Sequence, residues 1–218
     1  MSTTELDSSL FILKKTIMKL VSTLMMIGSA LLLGLFIYPL WDIQLDAPQY
    51  PKGLGMYIHL DGLEGYTKHD LQNINGLNHY IGMQTLPEKE DMWEFTVFPF
   101  VVGGMAILGI VIGLFGFFKK SAYKWFMAWF IVMSILGLLG MYDFNVWMTD
   151  YGTNLDPNAI MKMTDEFGNP MSYKPPLFGS RDILNFTAHS YPAIGGILLG
   201  IGMGITFLSY FVGKKKAL

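Results

Sequence analysis

Four uninterrupted apolar runs dominate the chain: residues 20–41, 95–118, 125–142 and 190–213. Each is 18–24 residues long and free of Asp, Glu, Lys, Arg and His. A helix rising about 1.5 Å per residue needs roughly 20 residues to cross the hydrocarbon of a bilayer, so the pattern predicts four transmembrane helices. Between them lie two long polar segments, 42–94 and 143–189, and three short ones, 1–19, 119–124 and 214–218. The expected fold class is an all-α membrane protein. Its four spans would carry two ordered loops, the first a small cap of one short strand and one short helix.

Finer patterning fills in the loops. After Asp42, Pro48 and Pro51 suggest an extended run. Gly53-Leu-Gly-Met-Tyr-Ile-His-Leu-Asp61 then alternates, with Met56, Ile58 and Leu60 on one face and Tyr57, His59 and Asp61 on the other, as in a half-buried strand. Leu71–Met83 reads as a helix, which Thr67 or Asp70 could cap. On it Asn75, His79 and Met83 recur every four residues. In the second loop, the segment from Met161 to Tyr173 resembles a hairpin with Gly168-Asn169 at its tip. Ser180 is placed to cap a short interfacial helix through His189 that runs into the last span. Trp41 and Trp93 mark membrane interfaces. Gly109-x-x-x-Gly113, Gly196-x-x-x-Gly200 and Gly200-x-x-x-Gly204 allow helices to approach closely, which ordinary bundle packing explains.

Charge gives these elements an orientation. Lys14, Lys15, Lys19, Lys119, Lys120, Lys124, Lys214, Lys215 and Lys216 all lie in the three short segments beside span ends, where the positive-inside rule operates. Both termini are therefore expected in the cytoplasm, the first run serving as a signal anchor. The two long loops would face outward, into the periplasm if this is a bacterial inner membrane. The first loop holds three Lys and nine acids, the second two Lys, one Arg and six acids; together they carry about −9, against +7 for the cytoplasmic pieces. That balance attracts cations and basic partners and excludes a nucleic-acid partner, which needs basic stripes. The spans contain no carboxylate, Lys or His, which weighs against a proton path or an intramembrane haem. With no Cys in the chain, disulfides, thiolate metal sites and a Cys nucleophile are excluded.

Candidate chemistry is thus confined to the outer segments. All four histidines, His59, His69, His79 and His189, fall there or at the boundary. An imidazole and a thioether one helical turn apart suit a soft metal, copper first. The candidate metal ligands are His79 with Met83, then His59, His69 and Met56, with His189 weaker; Asp61 and Asp70 could orient an imidazole. Positions 56 and 59 of a strand point to opposite faces, so Met56 and His59 make a weak pair. Met161, Met163 and Met171 could form a soft-metal patch or simply pack. Gln72, Asn75 and Asn78 would form an interaction surface beside this site. The same residues would equally serve a small helix whose polar face caps loops and binds no metal. No G-x-S-x-G, H-E-x-x-H, P-loop or soluble dinucleotide-binding motif occurs.

Leu45-Asp-Ala-Pro-Gln-Tyr-Pro51, Gly53-Leu-Gly-Met-Tyr57, Leu71-Gln-Asn-Ile-Asn-Gly-Leu-Asn-His-Tyr-Ile-Gly-Met83 and Pro176-Leu-Phe-Gly-Ser180 together resemble a family of small four-span membrane proteins. These are the accessory proteins of the clade II nitrous oxide reductase gene clusters of Bacteroidota and relatives. The resemblance covers both loops and the span order. It implies a non-enzymatic protein at the periplasmic side that assists a copper enzyme, nitrous oxide reductase, through copper handling, maturation or electron supply. The partner would be that enzyme or its maturation and ABC-transporter complex. A structural or docking subunit of a larger membrane complex, with no metal of its own, is the alternative. A copper-oxygenase-like subunit would need His189 and Asp182 beside the histidines of the first loop.

Overall fold

The computed structural model describes residues 3–161, 164, 168, 172–183 and 185–217. The elements follow in the order α1 (Thr3–Ala30), β1 (Trp41–Ala47), β2 (Tyr50–His59), β3 (Gly62–Gly65), α2 (Asp70–Ile81), α3 (Trp93–Gly116), α4 (Tyr123–Thr153), β4 (Gly179–Ile183), β5 (Phe186–Pro192) and α5 (Ile194–Ala217). Among the described residues, four helical segments are long and apolar enough to cross a membrane: Phe11–Phe36, Trp93–Gly116, Tyr123–Thr153 and Ile194–Lys215. The first continues α1 through a 3-10 turn, Leu31–Phe36, and ends before Trp41.

The all-α expectation is wrong. Among the described residues, five antiparallel strands form one sheet in the order β3-β2-β1-β5-β4. Alternation within β2 was legible, and β2 does present Met56 to the core and His59 to the other face. Two further pieces are strands, one expected only as an extended run from Asp42 to Pro51 and the other expected as a helix. Trp41-Asp-Ile-Gln-Leu-Asp-Ala47 alternates apolar and polar residues, yet its first residue closes an apolar run. Ser180–His189, expected as a capped helix, instead supplies most of the antiparallel strands β4 and β5. Strand β5 pairs with β1, Leu45 opposite Ala188 and Gln44 opposite His189, across some 140 residues of sequence. Strand formation depends on such cross-strand neighbours more than on local preference, so a local reading misses it. The hairpin expected between Met161 and Tyr173 lies largely outside the described residues.

The chain divides into two units, Met1–Ile37 with Phe100–Gly137 and Ile197–Leu218, and Tyr38–Pro99 with Leu138–Gly196. The first is a helical unit. Its core is built from Met18, Val21, Met25, Leu32, Phe126 and Trp129, and the Trp129 indole donates to the Met105 carbonyl at 2.9 Å. The Gly109-x-x-x-Gly113 spacing works inside this unit: a Cβ at Gly109 would lie 2.1 Å from Ser29 Oγ, and one at Gly113 2.5 Å from Met26 Cγ. At Gly200 and Gly204 a Cβ would meet nothing.

The second unit carries the sheet. Trp41, Ile43, Leu54 and Met56 line one face and pack with Ile74 and Ile81 of α2 and with Met83, Leu86, Tyr151 and Tyr173. Each such side chain removed from water contributes about 1.5–3 kcal/mol. Helix α2 is pinned to the sheet by Asp70, whose buried carboxylate accepts the Gly55 N–H at 3.1 Å and the Thr67 hydroxyl. It stops at Gly82, which adopts a left-handed φ of 82°, a conformation glycine reaches without steric cost.

Candidate functional site

The alternation that buries one face of the sheet turns a row of polar side chains to the other. In antiparallel pairs, directly opposed residues share a face, so the register assembles three rows. Glu64, Tyr57, Asp42 and Tyr191 form the first. Gly55, Gln44, His189 and Ser180 form the second, and Asp46, Thr187 and Asp182 the third. No Lys or Arg stands among them. In the middle row, Gly55 supplies no side chain, and the ring of Tyr66 occupies that space: a Cβ at Gly55 would fall 2.2 Å from it. Tyr66 thereby packs on Tyr57, with ring centroids 4.7 Å apart, and donates its hydroxyl to Asp42.

The central cluster is hydrogen-bonded. His189 Nε2 lies 3.1 Å from Asp46 Oδ2, and Ser180 Oγ lies 2.6 Å from His189 Nδ1. The Tyr191 hydroxyl stands 3.3 Å from Ser180 Oγ, while Gln44 Nε2 donates to Asp46 Oδ1 at 3.3 Å. Thr187 donates to Asp182 at 2.7 Å. Holding both imidazole nitrogens fixes the ring's direction. Above these residues opens a cleft of about 290 Å³ lined by Asp42, Gln44, Asp46, His189 and Tyr191. Partial burial, reinforced by the hydrogen bond to Asp42 and that carboxylate's charge, raises the Tyr66 phenol above its ordinary pKa, so it remains a donor. The cleft is rich in acceptors and suits ligands that bring hydrogen-bond donors and positive charge.

The residues singled out from sequence are scattered by comparison. His79 is exposed on α2. Met83 lies beyond the helix end and is 8% exposed, in the core that also holds Met56. The left-handed Gly82 breaks the four-residue spacing on which the His79 and Met83 pair depended. His69 precedes the other end of α2, makes no side-chain capping hydrogen bond, and is exposed. Ten residues of helix at about 1.5 Å each separate it from His79 by roughly 15 Å, too far to share an ion. His59 Nε2 lies 3.1 Å from a Glu64 carboxylate oxygen without the angle of a hydrogen bond.

Asn78 is buried, donating to the Tyr151 hydroxyl, and the Asn75 side-chain oxygen accepts the Leu86 N–H at 2.7 Å. Of the expected interaction surface only Gln72 is exposed. Asp61 pairs with Lys89 at 3.0 Å, and Asp70 holds the sheet, so neither is seen orienting an imidazole. Met163 and Met171 lie outside the described residues. Among the described residues, no three His, Asp or Glu side chains are grouped to hold a metal.

His189 is the candidate that the fold places in a cluster, with partners the sequence reading overlooked: Asp42, Gln44, Asp46, Ser180 and Tyr191. The signal available for them was the two-residue alternation of Trp41–Ala47 and of Phe186–Pro192. Compared with known proteins, the chain matches no family model, no curated protein and no solved structure.

Proposed function

We propose that this chain is a non-enzymatic, membrane-anchored accessory protein whose sheet unit faces the periplasm and docks a copper enzyme there. The resemblance of Leu71–Met83 and the neighbouring motifs to the nitrous oxide reductase accessory proteins supplies the class of partner. The distribution of Lys beside the span ends supplies the orientation. The observation that carries the docking role is the polar sheet face, where carboxylates, tyrosines and an oriented imidazole stand in the open on a rigid scaffold. Sites on strands hold their geometry better than sites on loops. Direct copper handling is the second reading. It rests on His69 and His79, exposed at opposite ends of α2, each of which would need further donors from the partner.

Isolation of the tagged chain from its native membranes after mild crosslinking tests the proposal. The expected result is recovery of a copper enzyme of the nitrous oxide reductase type, with copper stoichiometric to that enzyme and not to this chain. Recovery of the chain without any such enzyme contradicts it.

A further inference from the structure

We propose that the cleft over β1 and β5 is the seat for an extended basic segment of the partner protein, one presenting two Lys or Arg side chains about four residues apart. The inference rests on the docking reading and specifies the partner's chemistry. The cleft's volume of about 290 Å³ sits just below the roughly 300–1,000 Å³ typical of small-molecule pockets. That suits protruding side chains better than a cofactor.

Its polar groups accept. Asp42 takes the Tyr66 hydroxyl on Oδ1 and leaves Oδ2 to a ligand. Gln44 uses its amide nitrogen on Asp46, which leaves the amide oxygen to a ligand. The register puts Asp182 and Glu64 on the same face, and among the described residues no Lys or Arg occupies a paired position of the three rows. Aromatic pairs flank the cleft, Tyr57 with Tyr66 on one side and Tyr191 with Phe178 on the other, the latter with centroids 5.4 Å apart. Arginine stacks on such faces.

Spacing decides between a metal ion and a segment. Asp42 and Asp46 are four residues apart on one strand, and at about 3.3 Å per residue their Cα atoms are separated by roughly 13 Å. A single ion, with bonds to oxygen of about 2–2.6 Å, cannot reach both. Two cationic side chains on an extended segment running along β1 can, one on Asp42 Oδ2 and the other sharing Asp46 with Gln44 Nε2 and His189 Nε2, since each carboxylate oxygen has a second lone pair.

The full chain in phosphatidylcholine nanodiscs tests this by fluorescence anisotropy. The probe is a labelled eight-residue Gly/Ser peptide carrying Arg at positions 2 and 6. Comparison peptides carry the two Arg side by side or replace both by Glu. The spaced peptide is expected to bind best and to weaken with salt. The Asp42→Asn/Asp46→Asn double variant should lose roughly tenfold in affinity, from two exposed ion pairs together, and Asp61→Asn, off the cleft, should lose none. Gln44→Lys, which places a cation in the cleft, should bind no better than the double variant while unfolding at the wild-type temperature.

Equal binding by wild type and the double variant overturns the proposal. So does equal binding of the spaced and adjacent peptides, or displacement by spermidine with no discrimination among peptides. If the copper enzyme co-isolates but the peptides do not bind, this inference falls and the proposed function stands; binding of the spaced peptide with no co-isolating enzyme removes the function and leaves the cleft.

Discussion

One strand carries two chemistries. Along β1, Trp41, Ile43 and Ala47 are buried, the first two in the core that holds Ile74 and Ile81 of α2, while Asp42, Gln44 and Asp46 line an open cleft. The two faces are written with the same backbone and differ only by the parity of the residue number. On the buried face, side chains are constrained by volume, so a change there alters stability. On the open face, they are constrained by what they could bind, so a change there should leave the fold alone. This difference is why the proposed docking role is placed on the polar face and not on the histidine-bearing helix.

The comparison can be broken, and the largest effect should come from the buried side. Trp41→Ala removes an indole that contacts Phe144 edge to face at 5.8 Å and donates to Ser190 Oγ at 2.7 Å. A loss of about 3–5 kcal/mol is expected in denaturant unfolding. Asp70→Ala leaves the buried Gly55 N–H without its acceptor and should cost about 1–3 kcal/mol; a cost as small as that of a surface substitution would show that α2 is not pinned as described.

Gly55→Ala sharpens the contrast, because it acts on the polar side through sterics. The new Cβ would push the Tyr66 ring aside at a cost of about 1 kcal/mol. It should also free Tyr66 to ionise earlier in an alkaline absorbance titration. In the wild type the raised Tyr66 pKa means that the unfolded chain loses this proton first, near the usual value of about 10. The Tyr66 contribution is therefore complete below that pH and declines as pH rises above it. Tyr66→Phe should remove that part of the alkaline destabilisation, as read from unfolding midpoints on either side of pH 10. The smallest effect on stability should come from Asp42→Asn and Asp46→Asn, within about 0.5 kcal/mol, since exposed pairs contribute little. A larger loss would mean that these carboxylates are structural.

Much of the helical unit was legible because a bilayer imposes a long, simple pattern, and Lys119, Lys120 and Lys124 punctuate it. The β2 strand was legible from the alternation of Met56 to Asp61. What failed was non-local. Ser180 followed by Arg181 and Asp182 resembles a helix start when read alone, but β1 is available as a pairing partner and the chain there becomes two strands. The cleft inherits this difficulty: Asp46 and His189 are 143 residues apart, and nothing near either one signals the other. The helical spacing of His79 and Met83 also misled, since a single left-handed glycine between them sends one side chain to solvent and the other into the core.

The most direct test of the docking face is co-isolation of the copper enzyme from native membranes, with either of two altered chains in place of the wild type. One chain carries Asp42→Asn with Asp46→Asn; the other carries His79→Ala with Met83→Leu. Loss of the enzyme from the first and retention by the second is the expected result. Retention by the first with loss from the second would return the function to Leu71–Met83 and contradict the assignment made here.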